Sequence, residues 1–423
     1  MNMKTLLYSC LLLIPMMAQA QFTPNYEEQK VPNFTLPDVL VRFNGKKIKN
    51  AKKWEKKRRP EILGFFERTV YGQVPGSLDN VSFTLLESDK NALNGKAHRK
   101  QIEVLLTKNG KSLSFTLLVY TPKNRQNVPV FLGYNFYGNH TITNDTMVEV
   151  PKAWSLNNED FGVLDHIPTE KSRGVRTNRW DLNNILEGGF GLATIFYGEV
   201  DPDKDDFSDG LHALFYEEEQ ERPHPEEWGS IAAWAFGLSR ALDYLETDPD
   251  IDGTKVIAFG HSRLGKASLW AGATDERFAA VVSNNSGCGG AALSKRQFGE
   301  TIARINTNFP HWFATNFKEY NEKEMELPVD QHQLLALIAP RPLYVASAHE
   351  DQWADPRGEF LSAHYASAVY QLYTINGVET MAMPQLNTPM MNALSYHIRT
   401  GIHDVTAYDW EQYIRWAQKY VAP

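Results

Sequence analysis

The sequence predicts an α/β fold: a mostly parallel central sheet covered by helices on both faces and led by an N-terminal antiparallel hairpin. Three observations carry that expectation. In "KQIEVLLTKNGKSLSFTLLVYTP" (100–122) two strand-like segments meet at Asn109-Gly110, a pair that accepts the positive φ angles of a two-residue hairpin turn. Five later runs, 128–136, 191–198, 255–260, 279–285 and 341–348, are apolar throughout rather than alternating, as strands buried on both faces are. Helical periodicity fills the stretches between them, so strands and helices alternate along the chain.

Taken in order, the chain opens with Lys4, an apolar stretch from Leu6 to Met17, and "AQA" before Gln21. A basic start, a short apolar core and small residues at the cut describe a secretory signal peptide over 1–20. The apolar run is too short to span a bilayer. Cys10 lies inside it rather than after it, which argues against lipidation. The expected product is periplasmic or secreted. Residues 21–423 are expected to form a single catalytic domain with an irregular, proline-containing lead-in over 21–60. That length buries a large core. Cys288 is the sole cysteine after the signal, so no intramolecular disulfide is available.

Lysine and arginine number 43 against 51 acidic residues, a formal charge of −8, which points away from nucleic acid and anionic membranes as partners. The basic strip "KKIKNAKKWEKKRRPE" (46–61) reads as the solvated side of a helix or loop. "DPDKDDFSDG" (201–210) resembles a calcium loop but lacks the glycine at its sixth position and the glutamate at its twelfth. Asn139-His-Thr and Asn284-Asn-Ser are glycosylation sequons. No other segment reads as a membrane span, no His/Cys/Asp cluster has metal-ligand spacing, no cofactor is called for, and a monomer is the simplest expectation.

In "WGSIAAWAFGLSRALDYLET" (228–247), Ile231, Trp234, Ala235, Leu238, Leu242 and Leu245 share one helical face, and "DPDIDG" ends the helix before the next strand. That strand leads into "GHSRLGK" (260–266), which nearly spells G-x-S-x-G, except that the second glycine comes one residue late and Arg263 follows the serine. A strand to Phe259, a turn over 260–265 and a helix from about Leu264 place Ser262 at a strand-to-helix elbow. Locally the string fits two readings: a nucleophile raised above the sheet at a helix N-terminus, or a plain connection with a capping serine.

A serine nucleophile needs a base and an acid that orients the base, in the chain order Ser, acid, His. "ASAHEDQWADPRGEF" ends a strand with Glu350, Asp351 and Asp355, and "YHIRTGIHDVTAYDW" offers His397 and His403. His403 follows a loop just before the last helix, where a base reaches across the strand ends. His397 reads as a packing or capping residue.

At these residues the chain resembles the bacterial branch of the glucuronoyl esterases, a carbohydrate esterase family. The resemblance rests on "GHSRLGKASLWAGATDERFAAVVSNNSGCGGAALSKR", "PVDQHQLLALIAPRPLYVASAHEDQWADPRGEF" and "GIHDVTAYDW", with "GYNFYGNHT" (133–141) and "KWEKKRRPEILGFFERTVYGQVPG" (53–76), and so covers most of the mature chain. It implies an α/β-hydrolase fold and cleavage of esters between glucuronic acid on xylan and lignin alcohols. It implies Ser262 as nucleophile, His403 as base and Arg263 as a donor to the oxyanion. Lys266, Glu300 and Trp353 fall where the family contacts the glucuronate sugar. Fungal members draw the acid from after the strand that follows the elbow, where this chain has Asn285, and an amide supplies no negative charge. Bacterial relatives take the acid from the next strand end, which matches Asp351, with Glu350 and Asp355 as alternatives.

The chemistry fits those residue types. A guanidinium keeps its charge at any relevant pH and adds donors where negative charge develops on the ester oxygen. Lys266, at i+4 from Ser262, lies on the same helix face and suits sugar hydroxyls. Trp353 offers an apolar face to a sugar ring. Competing expectations are an acetyl esterase or other serine hydrolase on plant polysaccharide, or a non-catalytic glycan-binding relative, the latter motivated by Asn285.

Overall fold

Nine strands make one sheet in the computed structural model, which describes residues 22–422; the expected signal peptide lies outside the described residues. In chain order they are β1 (Asn80–Asn91), β2 (Ala97–Lys108), β3 (Lys111–Pro122), β4 (Val128–Asn135), β5 (Gly191–Phe196), β6 (Ile251–His261), β7 (Ala280–Asn284), β8 (Leu343–Ala348) and β9 (Leu394–Arg399). Across the sheet they run β1-β2-β3-β5-β4-β6-β7-β8-β9. The first four in that order pair antiparallel, and from β5 to β9 every pairing is parallel.

The β2–β3 hairpin closes where the sequence places it. Lys108 faces Lys111 across Asn109 (φ 51°) and Gly110 (φ 75°), both in the left-handed region that this tight turn demands. The five apolar runs are β4 to β8, and each residue of β5, β7 and β8 is buried. Two strands escaped the sequence reading for opposite reasons. Edge strand β1 exposes much of both faces, including Leu85 and Leu86, so no core-facing alternation marks it. Strand β9 is wholly buried yet reads "LSYHIR", and its polar residues are accommodated only by partners far along the chain.

Helices α1 (Ser230–Leu245), α2 (Arg263–Thr274), α3 (Pro356–Gln371) and α4 (Ala407–Tyr420) cover the sheet. Successive β4 residues alternate between two cores, as the period of a strand requires. Val130, Leu132 and Tyr134 pack with α1, α2 and α3, whereas Phe131 packs with Trp410, Tyr413 and Trp416 of α4 and with Ile185 of the short helix Leu182–Glu187. Helices therefore lie on both faces, as expected. The six residues assigned to the apolar face of α1 are all within 2% of full burial.

The lead-in, which holds one short 3-10 turn at Glu28–Lys30, is shorter than expected, because α-helical structure begins at Ala51 rather than near residue 60. Asn50 caps that helical run through a bond from the Lys53 amide (3.0 Å), and Trp54 and Arg58 are buried. Lys52, Lys53, Lys56 and Lys57 of the basic strip are exposed, in keeping with a solvated helix side. Both sequons are closed to modification in the folded chain: Asn284 is fully buried, and Asn139 is buried with its amide bonded to the Thr116 carbonyl. Among the described residues, no helix is long and apolar enough to cross a membrane.

Candidate active site

Because β6 to β9 are parallel neighbours, their carboxyl ends and the loops that follow share one edge of the sheet, where ligand sites of open α/β folds assemble. At the end of β6 the expected turn contracts to a single residue. The strand runs through His261, the helix α2 begins at Arg263, and Ser262 between them holds φ 60° and ψ −131°. A non-glycine residue there stores backbone strain of about 1–3 kcal/mol, held in place by its surroundings. The Ser262 amide donates to the Asn284 carbonyl of β7 (2.9 Å), and the amides of Gly265 and Lys266 donate back to the Ser262 carbonyl. Gly260 is required because a Cβ there would collide with the Leu264 carbonyl; Gly265, the late glycine, leaves only 3.1 Å to the Gly260 carbonyl and to Ser286 Cβ. The displaced glycine thus serves the same crossing of strand and helix that an ordinary elbow achieves.

Asp351 follows β8 and His403 follows β9. His403 Nδ1 bonds Asp351 Oδ2 at 2.5 Å, and the Asn285 amide donates to that same oxygen at 2.8 Å. Burial opposes ionisation of Asp351, but the hydrogen bond and charge of His403, aided by Asn285, outweigh it and hold the carboxyl below its usual range. The His403 ring lies 4.5 Å, centroid to centroid, from that of His261, which brings its imidazole beside the elbow. Burial first, then the His403 charge, keeps His261 well below the ordinary imidazole range, and its Nδ1 contacts Asn284 Oδ1 (2.6 Å). Ser262 makes no side-chain hydrogen bond to His403 in this resting geometry; such contacts commonly tighten only around a bound substrate.

The other carboxylates weighed for the acid role have different surroundings. Asp355 is buried in an ion pair with Arg296 (2.8 Å) and caps α3 through the Gly358 amide (2.9 Å). Glu350 is exposed and stands outside the His403 set. His397 is fully buried within β9, between the Tyr344 hydroxyl and Asp409, both at 2.9 Å, which is a packing role.

Arg263 forms an ion pair with Asp203, and its guanidinium lies 4.7 Å from the Trp312 ring centre and 5.3 Å from that of Phe309. Its Nε is buried without a partner. Asp203 also accepts from Tyr197 (3.0 Å), His311 (2.8 Å) and Trp312 (2.7 Å). Burial works against the Asp203 charge, yet Arg263 and His311 prevail and hold its carboxyl well below the usual range. Sequence reasoning missed Asp203, having met it only inside a string that fails as a calcium loop. The signal lay in its place just beyond a buried strand, β5, next to β4 at the centre of the sheet.

Lys266 is 4% exposed, donates to the Ser286 carbonyl (2.5 Å) and sits 5.7 Å from the centre of Trp312. Glu300 is buried within reach of its charge. Burial raises the Glu300 carboxyl against the opposing pull of Lys266 and Arg263, and it lowers the Lys266 ammonium. The Glu300 amide donates to the Trp353 carbonyl (3.1 Å), and the half-exposed Trp353 ring meets Phe22 edge-on at 6.3 Å. Behind this wall lies a second residue the sequence did not flag. Glu359 of α3 is fully buried, accepts from the Gly287 amide (3.0 Å) and the Ser347 hydroxyl (2.5 Å), and is pushed by burial to about 8. Among the described residues no group of acidic, histidine and cysteine side chains is arranged to hold a metal ion. An open concavity of about 640 Å³ elsewhere, lined by Asp89, Arg99, Asp145 and Trp180 among others, includes none of these site residues. The chemistry-bearing groups converge instead at the strand ends.

Comparison with known proteins follows the same lines. A family model described as glucuronyl esterase of fungi matches residues 193–374. The chain is 47% identical over 425 residues to carbohydrate esterase MZ0003 of an unknown prokaryotic organism, covering 98% of each. A solved structure of a promiscuous CE15 esterase from a marine bacterial metagenome is similar at 49% identity and a TM-score of 0.89, over 94% of this chain and 100% of that one. The glucuronoyl esterase from Solibacter usitatus superposes with a TM-score of 0.87 at 46% identity, over 92% of this chain and 99% of that one.

Proposed function

The chain belongs to the glucuronoyl esterases of carbohydrate esterase family 15, and on that premise we propose that Ser262, His403 and Asp351 act as a triad that cleaves esters joining xylan glucuronic acid to lignin alcohols. It is a carboxylic-ester hydrolase with the α/β-hydrolase fold of its family, and glucuronoyl esters are the substrate class that family hydrolyses. The observation that carries the triad is the His403–Asp351 bond beside the strained Ser262 elbow.

The reaction follows from those groups. Ser262 Oγ attacks the ester carbonyl carbon while His403 takes the hydroxyl proton, and Asp351 stabilises the imidazolium that forms. The carbonyl oxygen gains the negative charge, and Arg263, whose Nε has no partner at rest, supplies charged donors for it. Asp203 aims the planar guanidinium, and the Trp312 ring 4.7 Å away adds a cation–π contact. Collapse of the adduct breaks the bond to the alcohol, which leaves with the proton from His403. Water, deprotonated by His403, then attacks the acyl-serine and releases glucuronate and Ser262. Lys266, Glu300 and Trp353 line the side that receives the sugar, where a hydroxyl-rich ring, its carboxyl esterified, meets an ammonium, a carboxyl and an indole.

The reading extends to an exported, monomeric enzyme whose signal is removed after Ala20. N-terminal sequencing of the protein recovered outside the cytoplasm tests that point, and retention with residues 1–20 intact refutes it. For the activity, wild type and Ser262→Ala are assayed on benzyl glucuronate and on an acetyl ester panel. Hydrolysis of the glucuronate ester by wild type, lost at least 10³-fold in the variant, is expected. Acetyl release without glucuronate ester cleavage overturns the substrate, and an active variant overturns the nucleophile. A fluorophosphonate that labels wild type but not Ser262→Ala separates a working serine from a glycan-binding scaffold.

A further inference from the structure

His403, read as the base, is 41% exposed and follows Ile402, itself 64% exposed, so more than apolar packing must hold the loop that carries it. The structure assigns that task to Arg399, and the assignment rests on the reading of His403 as the catalytic base. We infer that Arg399 is a positioning residue for the ester hydrolysis, setting the backbone on both sides of His403.

Arg399 closes β9 and is 3% exposed. Its guanidinium turns back onto the loop that follows it. Nη2 donates to the Ile402 carbonyl at 3.1 Å and to the Asp404 carbonyl at 2.6 Å, the carbonyls immediately before and after His403. Nη1 donates to the Thr400 carbonyl at 2.9 Å. Three backbone acceptors in five residues are thus gathered onto one rigid, planar cation. Two of them bracket the base, so the orientation of its Cα–Cβ bond is tied to the position of Nη2.

The clamp is anchored below. Arg399 Nε donates to Asp409 Oδ2 at 2.8 Å, and Asp409 is fully buried at the start of α4. The same Oδ2 accepts from the Thr406 amide (2.7 Å) and hydroxyl (2.8 Å) as half of a capping box, while Oδ1 contacts His397. The buried charge of Asp409 is therefore fixed by a helix terminus and a strand before Arg399 meets it. From above, Asp404 pairs with Arg179, which belongs to the long excursion between β4 and β5. The Glu350 amide donates to the Gly401 carbonyl at 3.1 Å, which ties the loop to the one carrying Asp351.

Arginine is needed here for its shape as well as its charge. Lysine keeps the positive charge opposite Asp409 but cannot hold three carbonyls and a carboxylate in one plane. A displacement of about 1 Å in a catalytic group costs on the order of a hundredfold in rate. The sugar-contact residues lie on other elements, so ground-state binding does not depend on the clamp.

Wild type, Arg399→Lys, Arg399→Met and His403→Ala are compared on benzyl glucuronate, with activity expressed per folded molecule from near-ultraviolet circular dichroism. The inference expects kcat of Arg399→Lys to fall roughly tenfold to a hundredfold, KM and glucuronate affinity by calorimetry to stay within about threefold, and fluorophosphonate labelling of Ser262 to slow in step with kcat. A loss of folded protein with unchanged kcat per folded molecule marks a merely structural arginine and overturns it, as does an unchanged labelling rate. Should Arg399→Met not fold, Arg399→Lys alone decides. An active His403→Ala refutes the base itself, whereas an inactive one beside a fully active Arg399→Lys refutes only the clamp.

Discussion

Asn285 and His403 donate to one and the same oxygen of Asp351, at 2.8 and 2.5 Å. Asn285 stands where the family resemblance implies a carboxylate in fungal members, and its amide holds the carboxylate at the neighbouring strand end. The departure that motivated a non-catalytic reading thus belongs to the hydrogen-bond network around His403.

From this relationship Asp351→Asn is expected to lower kcat on benzyl glucuronate by about 10³–10⁴-fold with the fold intact, because the amide both loses the charge and favours the wrong imidazole tautomer. Asp355→Asn is expected to act oppositely. It breaks a buried ion pair and weakens a helix cap, so thermal stability falls by several kcal/mol while kcat per folded molecule stays within about threefold. Steady-state kinetics and thermal melts on both variants check the pair of outcomes; the reverse pattern moves the acid role to Asp355.

Asp203 holds Arg263 with a carboxyl kept well below its usual range. Asp203→Asn removes the anchor, and kcat is expected to fall about tenfold to a hundredfold while Arg263→Met, which removes the donor itself, falls by about a hundredfold or more. A depressed carboxyl contributes stability above the ordinary carboxylate pKa and loses it as pH falls through the folded-state value. The melting temperature of Asp203→Asn should therefore lie furthest below wild type near neutral pH and converge toward it in strong acid.

Glu359 has the opposite sign. Its folded-state value is raised by burial to about 8, so its contribution is fully present below the ordinary carboxylate range and is lost as pH rises through about 8. Glu359→Gln mimics the protonated acid. The variant is expected to match wild type in thermal melts near pH 5 and to exceed it above pH 8. A difference independent of pH refutes the buried protonated carboxyl.

Much of this molecule is legible residue by residue. Asn109-Gly110 dictates a hairpin because two successive residues must accept positive φ, and the continuous apolar runs of β4 to β8 dictate strands shielded on both faces. The elbow is readable too, since Gly260 is the one residue small enough for the crossing of Leu264. Strand β9 was not readable: "LSYHIR" looks like surface until Asp409 and Tyr344 are brought to its polar side chains.

The sequence by itself determined the α/β class, the chain order of the candidate serine, acid and histidine, and the loops on which each must lie, because turn chemistry and hydrophobic period are local properties of a chain. Tertiary structure alone decided which of Glu350, Asp351 and Asp355 meets His403, that Asp203 holds Arg263, and that Arg399 gathers the carbonyls on either side of His403. Those outcomes depend on which strand ends become neighbours and on what lies within hydrogen-bond reach after burial, where an unpaired charge is costly and a paired one is fixed in place. Three carboxylates on one loop are chemically alike in sequence; their surroundings make one the partner of His403, one a helix cap and one a surface residue.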